Sequence, residues 1–221
     1  MANFYKKSNQ LGRSMIEMLG VLAIIGVLSI ASISAYSRAM FKYQLNQYTE
    51  DFSLLLSNAI SLLPKLRQQN AAAGETYANL NSTLAEISAL PASMHYDDKS
   101  GYIYDVFKNQ NQLDYNQKKS QGKTTIAYRL IVHLARSGDR VASRDREICR
   151  NIMLVAKENA LDIYTADMYA TSGSGSSSLI GDLAHGSSKR LRNAGLVEID
   201  AVCNSCVSEH DCSVVIYMYG G

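Results

Sequence analysis

The chain changes its pattern of apolar and polar positions three times. From Met15 to Ala35 it reads MIEMLGVLAIIGVLSIASISA, 21 residues with one ionised side chain, Glu17. A helix needs about 20 mainly apolar residues to cross a bilayer, so this run predicts a membrane-spanning helix. Beyond it, Phe41, Leu45, Tyr48, Phe52, Leu55, Leu56, Ile60 and Leu63 recur at spacings near three and four. That spacing predicts one apolar face of an amphipathic helix, with Lys42, Gln44, Asn46, Gln47 and Glu50 on the others. Pro64 should kink or end the helix, and Leu66 to Ala73 extend it beyond a kink.

After Gly74 the period becomes mixed. Thr83 and Glu86 suggest a capping box for a short helix ending near Leu90, before Pro91. Gly101 to Phe107 and Thr124 to Leu134 predict strands, although the apolar run of the second also fits a helix, with Asn109 to Gly122, rich in Asn, Gln and Lys, as a loop between them. Ser143 is a candidate N-cap for a helix to about Asn159. Leu161 to Tyr164, Leu196 to Val202 and Val214 to Tyr219 predict further strands, and Thr171 to Ser178 a flexible loop. The predicted fold class is α+β: a long N-terminal helix packed on a small antiparallel-sheet head.

Charge refines this picture at the N-terminus. The chain has 22 basic and 20 acidic residues among 221, a net charge of +2, too balanced for bulk nucleic-acid binding. Lys6 and Lys7 precede the apolar run with no acid among residues 1–12. They favour a cytoplasmic N-terminus with the rest facing outward. The length of the run and Glu17 argue against the alternative of a secretory signal peptide, since a carboxylate in lipid is costly; a plain single-pass anchor is the other alternative. Such an acid needs a partner. If the chain is cut after Gly12, the new amine on Arg13 lies four residues before Glu17, and a neighbouring copy's carboxylate can neutralise it.

Gly12-Arg13-Ser14-Met15-Ile16-Glu17, followed by MLGVLAIIGVLSI, resembles the class III signal of type IV pilins and type II secretion pseudopilins. The match covers about residues 6 to 35. The resemblance implies a leader (1–12), a transmembrane and filament-core half-helix (13–35), an amphipathic half (36–73) and a globular head (74–221). It implies prepilin peptidase cleavage after Gly12, N-methylation of Arg13, and Glu17 as the assembly residue at the fifth mature position. The implied partners are other copies in a helical filament, the peptidase, an inner-membrane assembly platform and its ATPase. The subunit would rest in the inner membrane before assembly into a pilus or periplasmic pseudopilus. Two positions depart from the pattern: Arg13 stands where an apolar residue is usual, and Ser34 where many pilins carry a helix-breaking proline.

Chemistry elsewhere is sparse. No GxSxG, HExxH or P-loop motif occurs, and the reading is of a non-enzymatic subunit without a cofactor. Cys149, Cys203, Cys206 and Cys212 lie beyond the apolar run and are disulfide candidates in an oxidising compartment. Four cysteines allow three pairings. Cys203-x-x-Cys206-x-x-x-His210-x-Cys212 also has zinc-like ligand types, though His-x-Cys is tight for one tetrahedron. A Cys-x-x-Cys redox centre lacks a thioredoxin-like setting. His95, His133 and His185 are scattered. Asp97 and Asp98 read as a turn before a cation site, and Lys189, Arg190 and Arg192 as a solvated loop before a DNA patch. The competing functional class is a monomeric membrane-anchored binding module or adhesin. It predicts that Gly12 stays uncut and that Glu17 is replaceable.

Overall fold

The computed structural model describes residues 10–73, 77–120, 123–135, 143–170, 177–181, 190–205 and 212–219. Helix α1 (Gln10–Ala73) is 64 residues long and continues through Pro64. The chain divides into two compact units, Met1–Gln44 and Leu45–Gly221, with the boundary inside α1.

In the second unit α1 buries Leu45, Tyr48, Phe52, Leu55, Leu56, Ala59, Leu63 and Leu66. The stripe advances by three or four residues, as a helix face must. Ala59 takes the buried place and the expected Ile60 is only half-buried. Each fully buried leucine or phenylalanine contributes about 1.5–3 kcal/mol. Tyr48 stacks on Phe52 and meets Phe107 with ring centroids 5.7 Å apart.

The partner surface is an antiparallel sheet of eight strands: β1 (Tyr77–Asn79), β2 (His95–Asp97), β3 (Tyr102–Tyr104), β4 (Gln110–Ser120), β5 (Lys123–Ala135), β6 (Ile163–Ala170), β7 (Ser177–Ile180) and β8 (Cys212–Tyr219). Their order is β2-β3-β4-β5-β8-β6-β7, with β1 added to β4. The last strand therefore fills the middle of the sheet. Register aligns Tyr128 with Met218, Leu130 with Ile216 and Val132 with Val214, and all six are buried. Helices α2 (Asn81–Glu86), α3 (Ser143–Glu158) and α4 (Leu196–Cys203) complete the unit. The fold is α+β, with the amphipathic part of the long helix packed on the sheet.

Four expectations need correction. Of the loop expected over Thr171 to Ser178, Ser177 and Ser178 belong to strand β7, and 171–176 lie outside the described residues. Residues Asn109 to Gly122 do not form a loop: Gln110–Ser120 is the strand β4. Polar composition hid its alternation, which puts Asn111, Leu113 and Tyr115 on one face and Gln112 and Asp114 on the other. The polar groups find partners across the sheet. Asp114 takes two hydrogen bonds from Arg129, at 2.8 and 2.6 Å. Leu196 to Val202 is helix α4, not a strand. Ile199, Val202 and Cys203 are buried at helical spacing, and the Glu198 carboxylate accepts the Gly195 amide at 2.8 Å.

Nor do Thr83 and Glu86 form a capping box. Helix α2 starts two residues earlier and ends at Glu86, and its N-cap position, Leu80, makes no side-chain cap. Asn81 does the local work instead. Its Nδ2 donates to the Gly101 carbonyl at 2.7 Å, and its Oδ1 accepts the Leu113 amide at 2.8 Å. One buried amide thus ties α2, the β2–β3 turn and β4 together.

Chain geometry explains two further details. A Cβ on Gly181 would stand 1.8 Å from the Ile163 carbonyl oxygen, so the approach of β7 to the start of β6 admits only glycine. The turn after β3 is held by Asp105, whose Oδ1 accepts the amides of Phe107 and Asn109 at 2.8 and 2.9 Å. Burial pushes the Asp105 carboxyl above its ordinary value of 3.8, against these hydrogen bonds. The native state therefore holds this proton longer than the unfolded state, so its contribution to stability falls as pH rises above about 4. Asp105→Asn keeps an acceptor and removes the charge. In urea titrations between about pH 4 and 7, the variant should lose less stability with rising pH than the parent. Parallel profiles would contradict this account.

Candidate functional site: the exposed apolar helix

Between Glu17 and Arg38 the chain has 20 residues without an ionised side chain. All of them lie in α1 and all are exposed. Met18 is 64% exposed, Leu19 66%, Ile24 62% and Ile30 72%. The segment is long and apolar enough to cross a membrane, and none of its most apolar stretch is buried in the chain. A helix satisfies its own backbone groups, which is the requirement for entering lipid. An apolar surface of this extent marks a membrane or interaction site.

Three serines of this segment, Ser29, Ser32 and Ser37, are chemically accommodated. Ser29 donates to the Ile25 carbonyl at 2.7 Å, Ser32 to Leu28 at 2.7 Å and Ser37 to Ile33 at 2.9 Å. Each hydroxyl bonds one turn back along its own helix, so none needs water. At Gly20 and Gly26 an added Cβ would meet nothing within 4 Å. No contact among the described residues calls for glycine at either position.

Gly12 and Arg13 lie in the first turn of α1, with their backbone helical. Glu17 follows one turn later, exposed and next to the first long apolar side chains. The three expected processing and assembly residues thus share one end of one helix.

The cysteines belong to the other unit. Cys149 on α3 and Cys203 at the end of α4 form a disulfide with Cα atoms 5.8 Å apart. Cys212 is also disulfide-bonded, while Cys206 and His210 lie outside the described residues. A sulfur in a disulfide is no thiolate ligand, so Cys203 and Cys212 are withdrawn from the zinc-like set. Arg150 on α3 meets Asp200 on α4 at 2.6 Å beside the bridge.

Of the remaining candidates, His95, Asp97 and Asp98 line one cleft beside β2 and β3, and the others lie apart from it. His133 Nδ1 lies 2.9 Å from the Ser213 hydroxyl, and His95 stacks on Tyr104. His185 and Lys189 lie outside the described residues. Arg190 pairs with Ile180 as an isolated bridge, and Arg192 lies in a 3₁₀ turn. Asp97 closes a turn, accepting the amides of Lys99 and Ser100 at 3.3 and 3.2 Å. The Ser100 hydroxyl and these amides hold its carboxyl below the ordinary value. No protein-family model, curated protein or solved structure matches the chain.

Proposed function

We propose that this chain is a structural subunit of a type IV pilus or a related secretion pseudopilus, cleaved after Gly12 and polymerised through its apolar helix. One observation carries the reading: an exposed, uncharged helical segment begins immediately after an acid, with Gly12 and Arg13 one turn before it. A plain anchor has no need of a carboxylate at the start of its span, where an ionisable residue beside lipid marks a functional contact with a partner.

The roles follow from chemistry. In the inner membrane the segment after Glu17 spans the bilayer, with Lys6 and Lys7 keeping the leader cytoplasmic. A prepilin peptidase cuts the Gly12–Arg13 bond and methylates the new amine. Subunits then leave the lipid by burying their apolar helices against one another, driven by a platform and ATPase. The Glu17 carboxylate neutralises the amine of a neighbouring copy in that apolar core. Residues 45–221 keep their own sheet-and-helix core and need not refold on transfer.

This reading fixes a topology. Protease added to spheroplasts should digest residues 45–221 while leaving the leader end protected. Full protection before membrane lysis would contradict the single-pass orientation.

A further inference from the structure

A cleft of about 520 Å³ opens beside the β2–β3 hairpin, lined by His95, Tyr96, Asp97, Asp98, Lys99, Tyr104 and Lys108. It lies within the second unit and plays no part in the reading above. We propose that it binds a neutral saccharide unit.

Its aromatic wall is built by register. His95 and Tyr104 are direct cross-strand partners on β2 and β3, and their rings stack with centroids 5.6 Å apart at 22°. Gln110 donates to the Tyr104 hydroxyl at 3.0 Å, which fixes that ring. Rigid aromatic surface with a polar edge suits a ligand that has an apolar face and a hydroxylated rim.

Its polar groups are equally placed. Lys108 has φ +63°, the left-handed region, which costs a non-glycine residue about 1–2 kcal/mol. Asp105 enforces the conformation: its carboxylate holds the amides on either side, and its carbonyl accepts the Lys108 amide at 2.9 Å. Strain maintained in this way clusters at ligand sites. The Asp97 carboxylate is committed to its turn, while Asp98 and Lys99 are exposed.

The charges decide the ligand class. Two carboxylates and two ammonium groups line the cleft, so it has no net preference for an anion or a cation. No group of three metal-ligating side chains occurs among the described residues. A neutral polyol suits the lining, because each hydroxyl can donate to a carboxylate and accept from an ammonium. The volume falls in the range of small-molecule sites, about 300–1,000 Å³.

The test is saturation-transfer NMR on the full chain in a detergent without a sugar headgroup. The probes are the methyl glycosides of glucose, galactose, mannose and N-acetylglucosamine. At least one should receive saturation. Lys108→Gly, which relieves the left-handed strain, should weaken that glycoside by about tenfold without lowering the thermal midpoint. Asp98→Asn, at an exposed position, should weaken it similarly. Saturation of none of the four, or unchanged affinity in either variant, would overturn the proposal.

Discussion

Glu17→Gln should abolish assembly into filaments while leaving membrane insertion and cleavage after Gly12 intact. The substitution keeps the size and polarity of the side chain and removes only its charge. In lipid the change is favourable or neutral, since an uncharged amide is cheaper to hold than a carboxylate. In a filament the balance reverses. On the proposed reading the amine of Arg13 enters an apolar helix core, and without an opposing carboxylate it would stay buried and unpaired. Breaking a buried pair in this way costs about 3–5 kcal/mol, so incorporation should fall by about a hundredfold or more. Quantitative blotting of sheared filaments against the membrane pool reads this directly. Normal filament yield would remove the assigned role of Glu17.

The second large effect lies in the other unit. Cys149→Ser with Cys203→Ser should destabilise it by about 4 kcal/mol, the chain-entropy value for closing a loop of this length. The bridge spans a sequence separation of 54 and fastens α4 to α3. Helix α4 is only eight residues long, too short to be stable alone, and its first residues Leu196 and Val197 are 61% and 83% exposed. Its anchorage rests on Ile199, Val202, the bridge and the Arg150–Asp200 pair. That pair is more than a third exposed on both sides and adds little. For a unit of this size the midpoint should drop by about 10 °C. Calorimetry of oxidised and double-serine proteins measures it, and equal midpoints would show that packing alone fixes α4.

Some of this was plain in the sequence. The uniform apolar run and the amphipathic stripe each show one period over many residues, so α1 was legible almost end to end. Of the two readings of Pro64, the end of the helix is excluded, because α1 continues through it to Ala73, as the extension over Leu66 to Ala73 requires. Strand β8 was legible because β-branched and aromatic residues dominate it, whereas the apolar run of β5 fitted a strand or a helix. Strand β4 was not. Its core-facing Asn111 looks like a loop residue until its neighbours supply hydrogen bonds, and no local pattern states that β1, β3 and β5 flank it. In Leu196 to Cys203 a two-residue alternation of Val197, Ile199 and Ala201 competed with helical spacing. The tertiary contacts of Ile199, Val202 and Cys203 decided for the helix.

The candidate sites divide in the same way. Gly12, Arg13 and Glu17 form a local pattern and were legible as an expectation. The cysteines were legible as a set, while the Cys149–Cys203 pairing depends on how α3 meets α4. The cleft was hidden. His95 and Asp97 were visible as isolated residues, but the facing of His95 by Tyr104 comes from strand register. The left-handed backbone at Lys108 has no signature in residue type, where glycine or asparagine would be usual.

The central claim is the processing of the chain, and the N-terminal mass tests it most directly. The protein should be isolated from cells that co-express an active, matched prepilin peptidase. The account predicts a chain beginning at N-methylated Arg13. A chain that still carries residues 1–12 under those conditions would contradict it and leave the apolar helix as a simple anchor.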